Sequence, residues 1–159
     1  MDMMNDELIT LHFSYLISDY GFHIEKREFD YSAMGNAIVE FRSSSIGIEI
    51  VVDRNAVSIS VGDQLDEKQE WVELTFALKY YAPALKNAYV FPEKTSDNTW
   101  EDVVKNQLDR LARILRDYCE PLLKGDLSTM ERIKTIEKDE VAKMKAEWSK
   151  VAGSSRKNS

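Results

Sequence analysis

Three segments in the first half of the chain alternate hydrophobic and polar residues, the pattern of β-strands with one buried face. Residues 37–42 place Ala37, Val39 and Phe41 on one side, and residues 46–53 and 57–62 repeat this period of two. Short links join the segments, which predicts an antiparallel meander. Residues 22–30 hold few hydrophobic residues among many charges, and they predict a further strand at the sheet edge, where charge discourages unwanted pairing.

Hydrophobic residues at helical spacing predict helices on both sides of these strands. The first covers residues 5–20, with Asn5 as its N-cap and Gly21 as its left-handed stop. We expect a second helix to open on a capping box formed by Asp66 and Gln69. A short apolar patch at residues 88–91 predicts one more short strand in the connector that follows.

The clearest helical pattern lies in the last third of the chain. Either Ser96 or Thr99 opens a long third helix, and Pro121 ends or kinks it. A fourth helix follows at residues 129–151, with Ser128 as its predicted cap. Along the third helix, hydrophobic residues recur at alternating steps of four and three and form a seam. Its members are Val104, Leu108, Leu111, Leu115, Tyr118 and Leu122, supported by Trp100 and Ile114.

Strands grouped before helices favour an α+β fold over a parallel sheet with crossover helices. We predict an N-terminal helix, an antiparallel meander of three to four strands, and then three helices that end in a C-terminal helical hairpin. Residues 1–125 form the α+β domain, and residues 126–151 form an amphipathic helix packed on it or extending from it. Residues 152–159 are expected to be a disordered tail, since they are small and polar.

Charge is unevenly distributed along the 159 residues, whose net charge is −7. Residues 1–100 carry 8 Lys and Arg against 17 Asp and Glu. Such a surface repels the phosphates of nucleic acid and attracts a basic protein partner. Alternatively, the acidic surface serves only to keep the protein soluble. No apolar run is long enough to span a membrane, and the acidic N-terminus is unlike a signal peptide, so we expect a cytoplasmic protein that does not engage a membrane.

Sequence motifs for the common catalytic chemistries are missing. There is no glycine-rich phosphate loop, no G-x-S-x-G elbow, no H-E-x-x-H and no C-x-x-C, and the single cysteine, Cys119, excludes an intramolecular disulfide. We therefore expect no cofactor. One enzymatic alternative remains, because Glu49 and Asp53 point to the same side of one strand and Glu40 can join them from its neighbour. Such carboxylates can hold Mg²⁺ in a metal-dependent hydrolase or nuclease.

The stretch from Phe13 to Trp71 resembles small uncharacterised bacterial α+β proteins, some of which are similar to immunity proteins of polymorphic-toxin systems. The likeness rests on a helix ending Asp19-Tyr20-Gly21-Phe22, followed by Gly35-Asn36-Ala37-Ile38-Val39-Glu40-Phe41, Ile48-Glu49-Ile50-Val51-Val52-Asp53-Arg54 and Val57-Ser58-Ile59-Ser60-Val61-Gly62. This resemblance implies a non-catalytic protein, with a role in bacterial defence, that binds and occludes another protein, often a basic nuclease toxin.

Two surfaces follow as candidates for contact with a partner. The first combines the polar sheet face with an acidic loop, and its residues are Glu40, Glu49, Asp53, Asp63, Asp66 and Glu67. A solvated sheet face is the simpler explanation of the same pattern. The second is the thin apolar stripe of the fourth helix, which recruits a partner or a second copy of the chain. Its residues are Met130, Ile133, Ile136, Met144 and Trp148.

Overall fold

The computed structural model describes residues 3–32, 35–65, 67–68, 70–85 and 93–157. Its elements are α1 (Asn5–His12), α2 (Ser14–Tyr20), β1 (His23–Asp30), β2 (Asn36–Arg42), β3 (Ile46–Asp53), β4 (Ala56–Asp63), β5 (Trp71–Glu73), α3 (Leu74–Tyr81), α4 (Trp100–Tyr118), α5 (Glu120–Leu123) and α6 (Met130–Lys157). The predicted α+β class and N-terminal helix are confirmed. The helices after the sheet include the short α5, which follows from the break before Pro121.

The five strands form one antiparallel sheet in the order β1-β2-β3-β4-β5, so every strand pairs with its neighbour in sequence. The meander is therefore confirmed, with five strands in place of three to four. β1 lies at one edge, as its charged sequence predicts. A register irregularity between Ile24 and Lys26 interrupts its pairing with β2. Such bulges and charges keep an edge strand from recruiting foreign strands.

The core lies between one face of this sheet and the helices. Alternate residues of β2, β3 and β4 are almost fully buried, including Val39, Ile48, Ile50 and Ile59 at 0 % exposure. Helices α1 and α4 pack against β2 and β4 and against each other. Burying each such side chain stabilises the fold by roughly 1.5–3 kcal/mol, so the period of two along the strands decides which sheet face the helices cover.

The first helix differs from its prediction in two respects. A break at Phe13 divides it into α1 and α2, and the residue before α1 is Met4, which makes no side-chain cap. Asn5 is therefore not the N-cap; its side-chain amide instead donates to the Gly35 carbonyl at 2.8 Å. Gly21 adopts the predicted left-handed conformation at the end of α2, with φ 73°.

The second helix begins later than predicted. Its cap is Glu73, whose carboxylate accepts from the backbone N–H of Thr75 at 2.9 Å, and Asp66 and Gln69 lie outside the described residues. Trp71 belongs to strand β5 because its ring lies over Gly47 and Gly62, which have no side chains on that face. The sequence analysis missed this short strand because its hydrophobic residues also fit the spacing of the predicted helix. The predicted strand at residues 88–91 also lies outside the described residues.

The long third helix confirms most of its predicted features. Thr99, one of the two predicted caps, forms a capping box with Asp102, and α4 ends at Tyr118 shortly before Pro121. The seam from Val104 to Leu115 is buried, whereas Tyr118 is 42 % exposed and Trp100 is 51 % exposed. These two aromatic residues sit near the ends of the helix, where the packed body no longer covers its apolar side.

The last helix packs on the body only at its beginning. α6 contacts α3 and β5 and starts at Met130, one residue after the predicted start. From residue 141 to residue 153 every side chain is exposed, and the helix continues to Lys157, beyond the predicted end at residue 151. Among the described residues, none of the helices is sufficiently long and apolar to cross a membrane.

Replacing Gly47 by alanine should destabilise the sheet, because a Cβ at this position would lie 2.9 Å from the Trp71 ring and would also meet the Gln64 side chain. Overpacking of this kind costs about 1–3 kcal/mol. Chemical denaturation measures the free energy of unfolding. Gly153→Ala is the matched control, since a Cβ there meets nothing within 4 Å, and it should leave stability unchanged or raise it slightly. Equal stability of Gly47→Ala and the wild type would contradict this packing.

Candidate protein-binding face

The sheet has a second face, opposite the side that α1 and α4 cover, and we call it the open face. It is built from the residues that alternate with the core positions. Their side chains range from buried Glu40 through half-buried Ile38, Glu49 and Val51 to exposed Asp53. The cross-strand register aligns these residues in rows across the sheet.

The central row of the open face brings two carboxylates together. Glu40 on β2 pairs directly with Glu49 on β3, with Lys26 on the β1 side and Ser60 on the β4 side. Like charges directly opposite each other on neighbouring strands destabilise a sheet. This row is thus maintained at a cost in stability, which makes it a candidate for function.

The two carboxylates of the central row differ in whether a cationic side chain pairs with them. Glu40 is 6 % exposed, and its Oε1 accepts from the Arg42 Nε at 2.8 Å. Glu49 makes no hydrogen bond or ion pair with any other residue in the described ranges. Partial burial, and then the charge of Glu40, raise the pKa of Glu49, while Lys26 opposes them. A cation supplied from outside would lower the energy of the Glu49 carboxylate.

A cleft opens on the same face where β1, β2 and β3 end beside one another. Its volume is ≈ 660 Å³, and its floor includes Ile38 and Val51. Three carboxylates, those of Glu28, Asp30 and Asp53, surround this apolar floor. The acidic rim and apolar floor together suit the charged head and hydrocarbon stem of a lysine or arginine side chain.

Local contacts orient the carboxylates of the cleft. Asp53 accepts from the Asn36 side-chain amide at 3.0 Å, and it lies 3.6 Å from the Arg54 Nε in an exposed ion pair. Asp30 accepts from the Ser32 backbone N–H at 2.9 Å, in the turn after β1. Glu28 lies 3.5 Å from the Lys26 ammonium in an exposed pair, which is a weak interaction. The rim therefore holds its three carboxylates at fixed positions.

The acidic loop predicted together with this face lies elsewhere. Asp63, at the end of β4, has the same alternation as the core residues of that strand, so it is not on the open face. It pairs with Ile46 and accepts from the Leu65 backbone N–H at 2.8 Å. Glu67 is exposed in the turn that follows, and Asp66 lies outside the described residues. Conversely, Glu28 and Asp30 were not among the predicted residues. Their strand shows no clean alternation, so the sequence gives no signal for the face on which they lie.

The carboxylates proposed for a metal site are not grouped together. Glu40 and Glu49 are neighbours, but Asp53 lies four residues along the strand from Glu49, a separation of about 13 Å. Within the described part of the chain, no three side chains of the His, Cys, Asp and Glu types come close enough together to hold a metal ion.

Burial makes Cys119 a poor candidate for a nucleophile. It is fully buried at the end of α4, and this burial raises the pKa of its thiol to about 12. The thiolate, which is the reactive form, is therefore scarce. Removal of the thiol from water is the cause of this shift.

The predicted helix interface divides into two parts. Met130 and Ile133 are 2 % and 1 % exposed and belong to the core, and Ile136 is half-buried. Met144 and Trp148, in contrast, are 54 % and 75 % exposed. Only the second part is available to a partner.

Comparison with known proteins adds no relative from which a function could be transferred. No protein-family model, curated protein or solved structure matches this chain. The resemblance to immunity proteins thus stays a prediction that rests on the sequence.

Replacing Glu49 by glutamine should stabilise the protein at pH 7 by a few tenths of a kcal/mol, up to about 1 kcal/mol, because it removes a like-charge cross-strand pair. The pKa of Glu49 is raised on folding, so the folded state binds the proton more tightly, and stability falls as the pH rises from 4.5 through the raised pKa. The gain from Glu49→Gln should therefore vanish at pH values below 4.5. Urea denaturation at several pH values measures it.

Asp53→Asn is the control for this measurement, since Asp53 has the Asn36 amide as a partner and faces no like charge in its pair with Ala56. It should show no stability gain that depends on pH in this way. A gain from Glu49→Gln that persists unchanged in acid would contradict the electrostatic explanation.

Proposed function

We propose that this protein is a non-catalytic protein-binding module of the immunity or inhibitor type, which occludes a protein partner by accepting basic side chains on its open face. The observation that carries this proposal is the cleft in which Glu28, Asp30 and Asp53 surround the apolar floor of Ile38 and Val51. An apolar floor contributes affinity through burial, and fixed carboxylates at its rim select a cationic side chain.

The central row supports the same partner chemistry. A lysine or arginine of the partner that reaches Glu49 would pair with a half-buried carboxylate that makes no hydrogen bond or ion pair among the described residues and feels Lys26 only at a distance. Removing water from this pair would strengthen it relative to a pair on an open surface. Cleft and row lie on one face, so a single basic surface patch could contact both.

The charge of the chain supports rapid encounter with such a partner. Residues 1–100 hold 17 acidic and 8 basic residues, so the part of the chain that carries the open face is negatively charged. Complementary charge steers association and mainly changes the association rate. We propose the cytoplasm as the compartment in which this partner is met.

Reversing two charges on the rim should abolish capture of the partner. Full-length protein is immobilised and exposed to lysate of its native organism, and bound proteins are identified by mass spectrometry. We expect a specific protein to bind the wild type and to be lost from a Glu28→Lys, Asp53→Lys double variant. With the purified partner, the double variant should slow association at least tenfold and change dissociation less.

Glu131→Lys is the control for this capture experiment, because Glu131 has a side chain that is 90 % exposed and belongs to α6 rather than to the strands that line the cleft. It should retain the partner. Equal capture by the double variant, or the absence of any specific protein at every salt concentration, would contradict the proposal.

A further inference from the structure

The C-terminal half of α6 exposes an apolar stripe that continues the buried side of the same helix. Met130 and Ile133 face the core, and steps of three and four residues lead from them along one side of the helix to the stripe. The stripe consists of Val141, Met144, Trp148 and Val151, which are 38 %, 54 %, 75 % and 67 % exposed. An isolated exposed side chain is ordinary, but these four form a continuous apolar seam with the spacing found where two helices pack together.

The two flanks of this stripe carry opposite charges. Lys138 and Lys145 lie along one side of it, and Glu140 and Glu147 lie along the other, as the helical spacing of 100° per residue requires. A lipid surface would favour lysines on both sides of the apolar stripe. The pattern is that of a helix selecting a second helix, in which flanking charges decide which partner fits.

A second copy of this chain fits the stripe poorly in a parallel pair. The side of α6 that bears the stripe is the side that packs on α3 and β5 before residue 141. Two parallel helices that pack together lie 8–10 Å apart. At that spacing, the α+β part of each copy would overlap with the α6 helix of the other copy.

A second copy also fits poorly in an antiparallel pair. When the stripes of two antiparallel copies pack against each other, Lys145 of one copy lies beside Lys145 of the other along one flank. Along the other flank, Glu147 of one copy lies beside Glu147 of the other. Both contacts are repulsive, and each costs a few tenths of a kcal/mol at such a position. The charges thus oppose self-association in the orientation that the body permits.

We propose that the exposed half of α6 binds a single amphipathic helix of another protein, with acidic residues along the flank that meets Lys145 and basic residues along the flank that meets Glu147. From residue 141 to its end at residue 157, α6 is about 25 Å long, which accommodates four to five turns of a partner helix. This surface is separate from the open face, and the inference does not depend on the function proposed above.

Two synthetic helical peptides test the inference on the full chain. Both have the same apolar seam; the mixed peptide carries Glu on one flank and Lys on the other, and the acidic peptide carries Glu on both. We expect wild-type protein to bind the mixed peptide roughly three- to fivefold more tightly. In the Glu147→Lys variant, which replaces the acidic residue on the flank opposite Lys145 by a lysine, the acidic peptide should become the tighter ligand. Isothermal titration measures both affinities.

Trp148→Ala should weaken binding of the mixed peptide more than tenfold, whereas Trp100→Ala, an exposed tryptophan on α4, should not change it. Circular dichroism confirms that each variant is folded. The inference would be overturned by no binding of either peptide, by affinities that do not change with the substitution at Glu147, or by a concentration-dependent dimer in sedimentation that Trp148→Ala abolishes. The last result would assign the stripe to a second copy. Binding to anionic vesicles in preference to the mixed peptide would also overturn it.

Discussion

Burial of every second side chain of β2, β3 and β4 is the constraint on which the rest of this structure depends. Val39, Ile48 and Ile59 are fully buried on the side that packs against α1 and α4. A shift of one residue in any of these strands would turn its hydrophobic set to the other side of the sheet. The same constraint decides that Glu40, Glu49 and Asp53 share the open face, so its acidic character follows from the packing of the core.

The sequence predicted correctly those helices and strands whose local residue pattern matches the way they pack in the folded protein. The middle strands alternate cleanly, and α4 has both a capping box at Thr99 and a regular seam, so their predictions are confirmed. β5 was missed because Trp71 and Val72 fit helical spacing as well as a strand, and only the glycines on neighbouring strands give the Trp71 ring its place. Asn5 has the right residue type for a cap, but contact with the distant Gly35 carbonyl determines its conformation.

The candidate site could be predicted only as far as the alternation extends. That rule places Glu40, Glu49 and Asp53 on one face, and the structure agrees. The alternation rule predicts only the face, and it does not indicate that Asp53 lies too far along the strand from Glu40 and Glu49 to form one site with them. Glu28 and Asp30 depend on the pairing of β1 with β2, where an irregularity at Ile24 and Lys26 changes the register, and no local signal fixes that register.

The long overhang of α6 has a consequence for its dynamics. Up to Glu140 the helix is held by packing and by the ion pair between Glu140 and Lys79, at 3.1 Å. From residue 141 to residue 153 every residue is exposed, so this part of the helix depends mainly on its own backbone hydrogen bonds and helix propensity, and Gly153 weakens that propensity. This segment can unwind while the body stays intact, so its amide protons exchange with solvent through local opening events that leave the sheet untouched. A ligand that holds the segment helical would close those openings and slow that exchange there alone.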